Sequence, residues 1–591
     1  MPYRAPVNET VFFLDHCTSL PALAGKGALS ELSTELVAQV LEEAGKFANE
    51  RIAPLNRIGD REGTQFANGT VVMPKGWKET YRAFAEAGWN GLPAPVEYGG
   101  QGLPSMVNMA CVEYWHSAAM SFGLGPMLTQ AAIEAMHAHA SEELKEKYLA
   151  RLVAGEWTGT MQLTEPQAGS DLANLRTRAE RRPDGTYRIR GQKIFITYGE
   201  HDMTPNIIHF VLARLPDAPP GTKGISLFLV PKFLLKEDGT PGPRNDLRCA
   251  SVEHKLGIHA SPTCVMVYGD NEGATGWLIG KENEGLACMF TMMNLARLAV
   301  GVEGVAVGEA ACQHALAYAR ERKQGKANGR EQSAIIEHPD VKRMLLTMRA
   351  LTNASRAICL KTADAIDRAR HLDDAAARAQ AREEANLLTP VAKAFSTDAG
   401  IEASSLGVQV HGGMGFIEET GAAQFYRDSR ITAIYEGTNG IQAIDLVGRK
   451  IGQAGGETLR RMLKNFAAVA KQVAALNDPA FGTTAQRIAE ALKILEGTSQ
   501  HLLAAKPHEQ LAGATPYLRI FGLTAGAAYL AEIALAAHHA KATGDTHPAH
   551  AARIATARFF AESLLPQVAG LQQTVMGGAD SVLQAEAALV A

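Results

Sequence analysis

The stretch TRAERRPDGTYRIRGQKIFITYG, Thr177 to Gly199, decides the fold class. It reads as two alternating segments around a Pro-Asp-Gly turn, the pattern of strands whose side chains repeat every two residues. NIIHFVLARL from Asn206, GISLFLVPKF from Gly224 and TCVMVYGD from Thr263 read as further strands. On both sides the apolar spacing changes to three and four residues, as in SELSTELVAQVLEEAGKFANE from Ser30 and SEELKEKYLARLVAGE from Ser141. WNGLPAPVEYGGQGLP, between those two, is dense in Gly and Pro and reads as a loop. Long segments rich in Ala, Leu, Met and Arg return from about Glu284 to Gly448, and an Ala-rich helical run follows the pair Gly455 and Gly456. The reading is therefore mainly α with a central β domain. Its expected divisions are an N-terminal extension (1–34), an N-terminal helical domain (35–156), a middle β domain (157–275), a helical domain (276–452) and an additional C-terminal helical domain (453–591). No fixed-period repeat stands out.

At 591 residues the chain exceeds what one hydrophobic core organises. Its 46% hydrophobic and 20% charged residues are those of a soluble protein, and a net charge of -4 offers nucleic acid no broad attraction. Seven cysteines are scattered without a Cys-x-x-Cys pair, and none follows Cys359, which predicts reduced thiols, a cytoplasmic location and no metal site. The opening MPYRAPVNETVFFLDHC has only a three-residue apolar cluster before Asp15, so neither a secretory h-region nor a transit peptide is expected. The late apolar segment Ile520 to Ala531 lies between Arg519 and Glu532, too short to cross a bilayer, and is expected to be a core helix. Balanced charge in the tail leaves membrane association unsupported.

Three stretches carry chemistry. In MQLTEPQAGSD, Met161 to Asp171, small and hydroxyl residues (Thr164, Gly169, Ser170) allow backbone to approach a planar ligand, although composition alone describes a loop. In GQKIFITYG, Gly191 to Gly199, Phe195 and Thr197 would share one strand face, which is also what an ordinary half-buried strand would show. In RDSRITAIYEGTNGIQ, Arg427 to Gln442, Glu436 follows an apolar run. Partial desolvation there would raise its pKa toward that of a general base, whereas the plain reading is a surface carboxylate.

Together with PVEYGGQG, ERKQGK and QVHGGMGF, these segments, in this order, resemble the acyl-CoA dehydrogenase family from roughly Leu32 to Lys450. The resemblance implies a helical domain, a β-barrel-like domain and a four-helix bundle bearing the catalytic Glu. It implies FAD as cofactor, with Leu163, Thr164, Gly169 and Ser170 near the flavin and the thioester end of the substrate, and Phe195 and Thr197 covering the isoalloxazine. Phe195 stands where the family usually has Trp. Arg322, with the Gln409, Gly412 and Gly413 stretch, would bind the adenosine diphosphate half of FAD from the neighbouring subunit of a homodimer, an Arg guanidinium suiting a pyrophosphate.

By the same resemblance Glu436 is the catalytic base, with Tyr435, Gly437, Ser170 and Arg297 on the substrate and Thr438 near the FAD phosphates. Gly440 replaces a Gln common in the family, which removes one cofactor contact. Some members carry the base just before the Arg that Arg297 matches, but Ala296 there cannot take a proton. The implied reaction is α,β-desaturation of an acyl-CoA to a trans-2-enoyl-CoA in fatty acid β-oxidation, with an electron-transfer flavoprotein as acceptor. The tail and the extended start resemble larger bacterial members, which predicts a medium- or long-chain fatty acyl-CoA substrate, with 3-(methylthio)propanoyl-CoA as the alternative. An acyl-CoA oxidase and a catalytically inactive helical scaffold are the other readings. The ending LVA is not a peroxisomal signal and weighs against the oxidase.

Overall fold

The computed structural model describes residues 3–327, 329 and 331–590. The chain forms two compact units, each assembled from separated segments. One comprises Lys46–Pro104 and Ala118–Ala296, the other Met1–Gly45, Ser105–Ser117 and Arg297–Ala591.

The first unit contains the β domain. Its main sheet has eight strands: β1 (Thr158–Gln162), β2 (Arg178–Arg181), β3 (Tyr187–Thr197), β4 (Ile207–Arg214), β5 (Ile225–Pro231), β6 (Leu247–Val252), β7 (Thr263–Tyr268) and β8 (Ala274–Ile279). Their order is β6-β7-β3-β8-β5-β4-β1. Strand β2 pairs with both β3 and β4, the latter through Arg178 and Arg214, so the path β3-β8-β5-β4-β2 returns to β3 as a small barrel. All pairs are antiparallel except β1 with β4 and β2 with β4. Strands β4 and β5 are buried along nearly their whole length, which suits their runs of Ile, Leu, Val and Phe. The helix Met120–His139 lies against β1, where a Cβ on Gly159 would come within 2.4 Å of the Ala132 Cβ.

The second unit is helical. The helices used below are α1 (Val7–Cys17), α2 (Ser105–Ala118), α3 (Gly285–Glu321, in this unit from Arg297 on), α4 (Pro339–His371), α5 (Ala375–His411), α6 (Asn439–Asp445), α7 (Glu457–Leu476), α8 (Thr484–Ala504), α9 (Pro507–Ala542) and α10 (Ala549–Phe559). Helices α3 and α5 meet backbone to backbone, since a Cβ on Gly304 would lie 2.3 Å from the Ser396 carbonyl oxygen. Helix α9 belongs to the Ala-rich tail and packs on the bundle. Gly522 admits the Phe395 ring of α5, and Arg519 pairs with Glu402 at 2.9 Å. Tyr529 of α9 meets Phe466 of α7 edge-on, at 5.2 Å between ring centres.

Helices α3 and α9 are long and apolar enough to cross a membrane by length and composition alone, but 67% and 83% of their most apolar windows are buried inside the fold. The segment Ile520 to Ala531, expected as a core helix within the Ala-rich helical run, forms the buried middle of α9. Its Ala, Gly and Thr flanks extend the helix well beyond that core. All seven cysteines are free and buried. The chain is therefore mainly helical, with a central β-barrel domain.

Candidate active site

The residues singled out from sequence fall on both units, and each set is held by its own unit. In the β unit, Leu163 and Thr164 are half-buried in the loop after β1, and Ser170 is exposed. That loop is tied to β3 from beneath. The Lys193 ammonium donates to the Leu163 carbonyl at 3.1 Å and to Glu165 at 2.8 Å, and the Ile194 N–H donates to the Thr164 carbonyl at 2.9 Å. Burial opposes charge on Glu165, yet the Lys193 ammonium and hydrogen bonds from Thr177 and the Arg176 N–H outweigh it and hold the carboxyl down at about 2.

Phe195 departs from simple strand alternation. The β3 to β7 register shifts between Cys264 and Met266, opposite Ile196 and Lys193, and Phe195 takes a left-handed backbone, φ 60°. Lys193 is fully buried and Phe195, two residues on, is 59% exposed. A bulge of this kind re-aims a side chain. Here it presents an apolar ring outward, with Thr197 half-buried beyond it.

In the helical unit, Tyr435, Glu436, Gly437 and Thr438 form the turn that leads into α6. Thr438 caps that helix, its hydroxyl accepting from the Ile441 N–H at 3.2 Å. Glu436 has φ 55° and Gly437 φ 84°, so two successive residues are left-handed. A non-glycine residue held there costs on the order of 1–3 kcal/mol and persists where surrounding structure enforces it. The enforcement is visible. Gln442 donates its side-chain N–H to the carbonyls of Glu436 and Gly437 at 3.4 and 3.5 Å. Asn439 donates to Asp398 at 2.7 Å and accepts from the buried Lys393 ammonium at 2.9 Å.

Burial pushes the Glu436 carboxyl above its ordinary range, while the positive charges of Arg297 and Lys393 pull it back. Arg297, itself buried on α3, therefore belongs with Glu436. Desolvation of this kind moves a carboxyl toward the range of a general base.

Arg322, Gln409, Gly412 and Gly413 form a separate group, all exposed, at the far ends of α3 and α5. His411 stacks on Tyr318 at 4.4 Å and on His314 at 4.7 Å, which ties those helix ends together. At 1.5 Å rise per residue the run of α3 from Glu303 to Arg322 is on the order of 25–30 Å long. Within one chain the Arg322 group is thus remote from Glu436.

The sequence reading missed a second buried carboxylate. Glu303 of α3 is fully buried, and its carboxylate accepts a hydrogen bond from the Tyr435 hydroxyl. Its signal was a lone acid in the apolar run AVGVEGVAVG, Ala299 to Gly308.

These residues suit a flavin dinucleotide. Phe195 offers an outward apolar ring, Thr164 and Thr197 offer half-buried hydroxyls, and Arg322 offers an exposed guanidinium. A Cβ on Gly412 or Gly413 would meet nothing within 4 Å, so backbone there is open to a ligand. Among the described residues, no group of three or more His, Cys, Asp or Glu is placed to hold a metal ion.

Four family profiles cover the chain. The acyl-CoA dehydrogenase N-terminal domain matches residues 34–156, the middle domain 160–271 and the C-terminal domain 283–451, and a profile described as acetyl-CoA dehydrogenase C-terminal like matches 462–586. A 3-methylmercaptopropionyl-CoA dehydrogenase of Ruegeria pomeroyi is 48% identical over 99% of this chain and 100% of its own length. The chain belongs to the acyl-CoA dehydrogenase family. This dehydrogenase is an FAD-dependent oxidoreductase of CH-CH bonds in acyl-CoA thioesters. A butyryl-CoA dehydrogenase of Syntrophomonas wolfei is 35% identical over 89% of the chain and 88% of the relative. A crystal structure of an acyl-CoA dehydrogenase complexed with FAD, from Bacillus anthracis, superposes with a TM-score of 0.75 over 92% of this chain and 88% of that one. At 22% identity it speaks for the fold.

Proposed function

We propose that the chain desaturates 3-(methylthio)propanoyl-CoA between its α and β carbons, with Glu436 as the base that removes the α-proton. The observation that carries the substrate is the 48% identity along the whole length to a relative that bears this activity in its name, against 35% to one named for butyryl-CoA. Both names specify short acyl chains, so the medium- or long-chain expectation gives way to the alternative.

The chain's own residues account for the proton step. The left-handed turn holds the Glu436 carboxyl in a half-buried position, beside the positive charges of Arg297 and Lys393, which favour its charged form. Its oxygen accepts the α-proton as charge moves onto the thioester carbonyl. The backbone N–H of Glu436, fixed in direction by the same turn, is the donor assigned to that oxygen. Leu163, Thr164, Phe195 and Thr197 would hold FAD, which when bound would supply the acceptor for the β-hydride. Ser170, Tyr435 and Gly437 are assigned to the substrate.

Arg322, Gln409, Gly412 and Gly413, with Thr438, are assigned to the adenosine diphosphate half of FAD. The first four are assigned to the cofactor of a neighbouring protomer, a reading supported by their distance along α3 and α5 from the Glu436 turn. A homodimer and reoxidation by an electron-transfer flavoprotein complete the proposal.

The test is anaerobic flavin bleaching. Glu436→Gln should keep FAD and acyl-CoA binding while slowing bleaching roughly 10²-fold to 10⁴-fold, the contribution of a positioned general base. Bleaching at the unmutated rate would remove Glu436 from the role. In the unmutated enzyme, a kcat/KM highest for the methylthio substrate is expected. A higher value for butyryl-CoA or a long-chain acyl-CoA would reassign the substrate.

A further inference from the structure

Glu303 and His116 form a buried pair that the proton step above does not use. Glu303 lies on α3 and His116 on α2, and both are almost completely buried. His116 Nδ1 stands 2.9 Å from the Val112 carbonyl oxygen, which can only accept, so Nδ1 carries the hydrogen. His116 Nε2 faces Glu303 Oε1 at 3.7 Å, too far for a direct hydrogen bond, and neither atom has a hydrogen-bond partner. The other Glu303 oxygen, Oε2, accepts from the Tyr435 hydroxyl. Burial works against charge on His116 and on Glu303 alike, which favours a neutral ring facing a protonated carboxyl, with Oε2 holding Tyr435.

We propose that Glu303 is a positioning residue for the proton-abstracting group: neutral in the working enzyme, it anchors Tyr435 and through it the left-handed turn at Glu436, and it spares the base a second negative charge. The proposal rests on the reading of Glu436 as the base. Tyr435 is the residue immediately before Glu436, so a tether on its hydroxyl restrains the backbone entering the strained turn. The groups facing Glu303 are Tyr435 and Glu436 from the turn, Lys393 from α5 and His116 from α2. Burial is the dominant influence and lifts the Glu303 carboxyl to about 8, with the neighbouring Glu436 charge acting in the same direction. Burial also lowers His116 to about 4, which agrees with a neutral ring.

The test uses FAD-loaded Glu303→Gln, Glu303→Leu, Tyr435→Phe and the Glu303→Leu/Tyr435→Phe pair, with Glu436→Gln run alongside. An amide oxygen accepts from Tyr435 as the acid does, so Glu303→Gln should bleach within about threefold of the unmutated rate with its acid limb in place. Glu303→Leu and Tyr435→Phe should each be slower by roughly 10-fold to 100-fold, the scale of a misplaced catalytic group. The double variant should be no slower than the slower single, since both remove one tether. Infrared difference spectra of unmutated chain minus Glu303→Gln, without substrate, should show a protonated carboxyl at neutral pH that fades as pH rises through about 8.

Carboxylate bands at neutral pH, an acid limb displaced in Glu303→Gln, or unmutated bleaching in Tyr435→Phe would each overturn the proposal. If Glu303→Leu does not fold, the Gln and Phe variants still decide it. Failure of these variants with a silent Glu436→Gln would sink only the positioning role, whereas an active Glu436→Gln would sink the base assignment itself.

Discussion

Glu303 and Glu309 are two fully buried glutamates less than two turns apart on α3, and their surroundings shift their carboxyls in opposite directions. Glu309 lies between two guanidiniums, with Arg349 at 3.2 Å and Arg356 at 2.8 Å, and accepts from Gln313 at 2.9 Å. Burial opposes its charge, but the two arginines outweigh burial and bring the carboxyl down to about 2. Glu303 has a phenol and an imidazole instead, and burial takes it up to about 8. Even the opposing helix is shared, since α2 brings Glu113 to Arg356 at 2.7 Å and His116 to Glu303. Burial alone therefore does not decide what a carboxylate is for. The partner within hydrogen-bond reach makes one a structural ion and leaves the other able to keep a proton.

The largest way to break this contrast is Arg356→Met. It leaves Glu113 and Glu309 buried with a single guanidinium, at Arg349, and should cost about 3–5 kcal/mol in urea unfolding. A loss below about 1 kcal/mol would mean that the arginine does not compensate these carboxylates.

The pH dependence of stability should carry opposite signs for the two residues. Glu309 has its folded pKa depressed, so the stability it contributes is complete above about 4.5 and is lost as pH falls through about 2. Glu303 has its folded pKa raised, so the folded state binds more protons than the unfolded one between about 4.5 and 8, and stability declines as pH rises through that window. Unfolding followed against pH should therefore be flatter on the acid side for Glu309→Gln and flatter between about 4.5 and 8 for Glu303→Gln. Unchanged slopes in both variants would remove the contrast.

The smallest effect sharpens it. Gln313→Ala deletes one neutral donor to Glu309 and leaves both arginines, which should cost about 1.5–3 kcal/mol, the scale of a hydrogen bond to a charged group. A cost equal to that of Arg356→Met would show that hydrogen-bond count rather than charge holds Glu309 ionised.

Much of this was legible in the sequence. Alternation around the Pro-Asp-Gly turn announced the β domain, and the surrounding three- and four-residue spacing announced the helices. The IYEGTNGIQ stretch pointed to Glu436 through its order among five other motifs. Other features are products of assembly. Strand alternation carries no sign that Phe195 would turn left-handed, because the bulge depends on the register of β7, some 70 residues later. Glu303 was visible as an oddity but not as part of a site, since its surroundings come from α2, α5 and the turn before α6. In the tail, composition showed an apolar helix, whereas its seat on Phe395 depends on Gly522 lacking a side chain.

That seat has a consequence for how the protein is made. The β unit has all its segments by Ala296, whereas the helical unit begins before it and needs α9 and α10 to finish. Arg553 of α10 grips Glu9 of α1 at 3.0 Å, and its guanidinium lies 3.7 Å from the Phe12 ring centre, so the first helix waits for one of the last. During synthesis the apolar faces of α4 and α5 emerge from the ribosome well before their cover. The order of translation thus completes every segment of the β half long before the helical half has its last two covering helices.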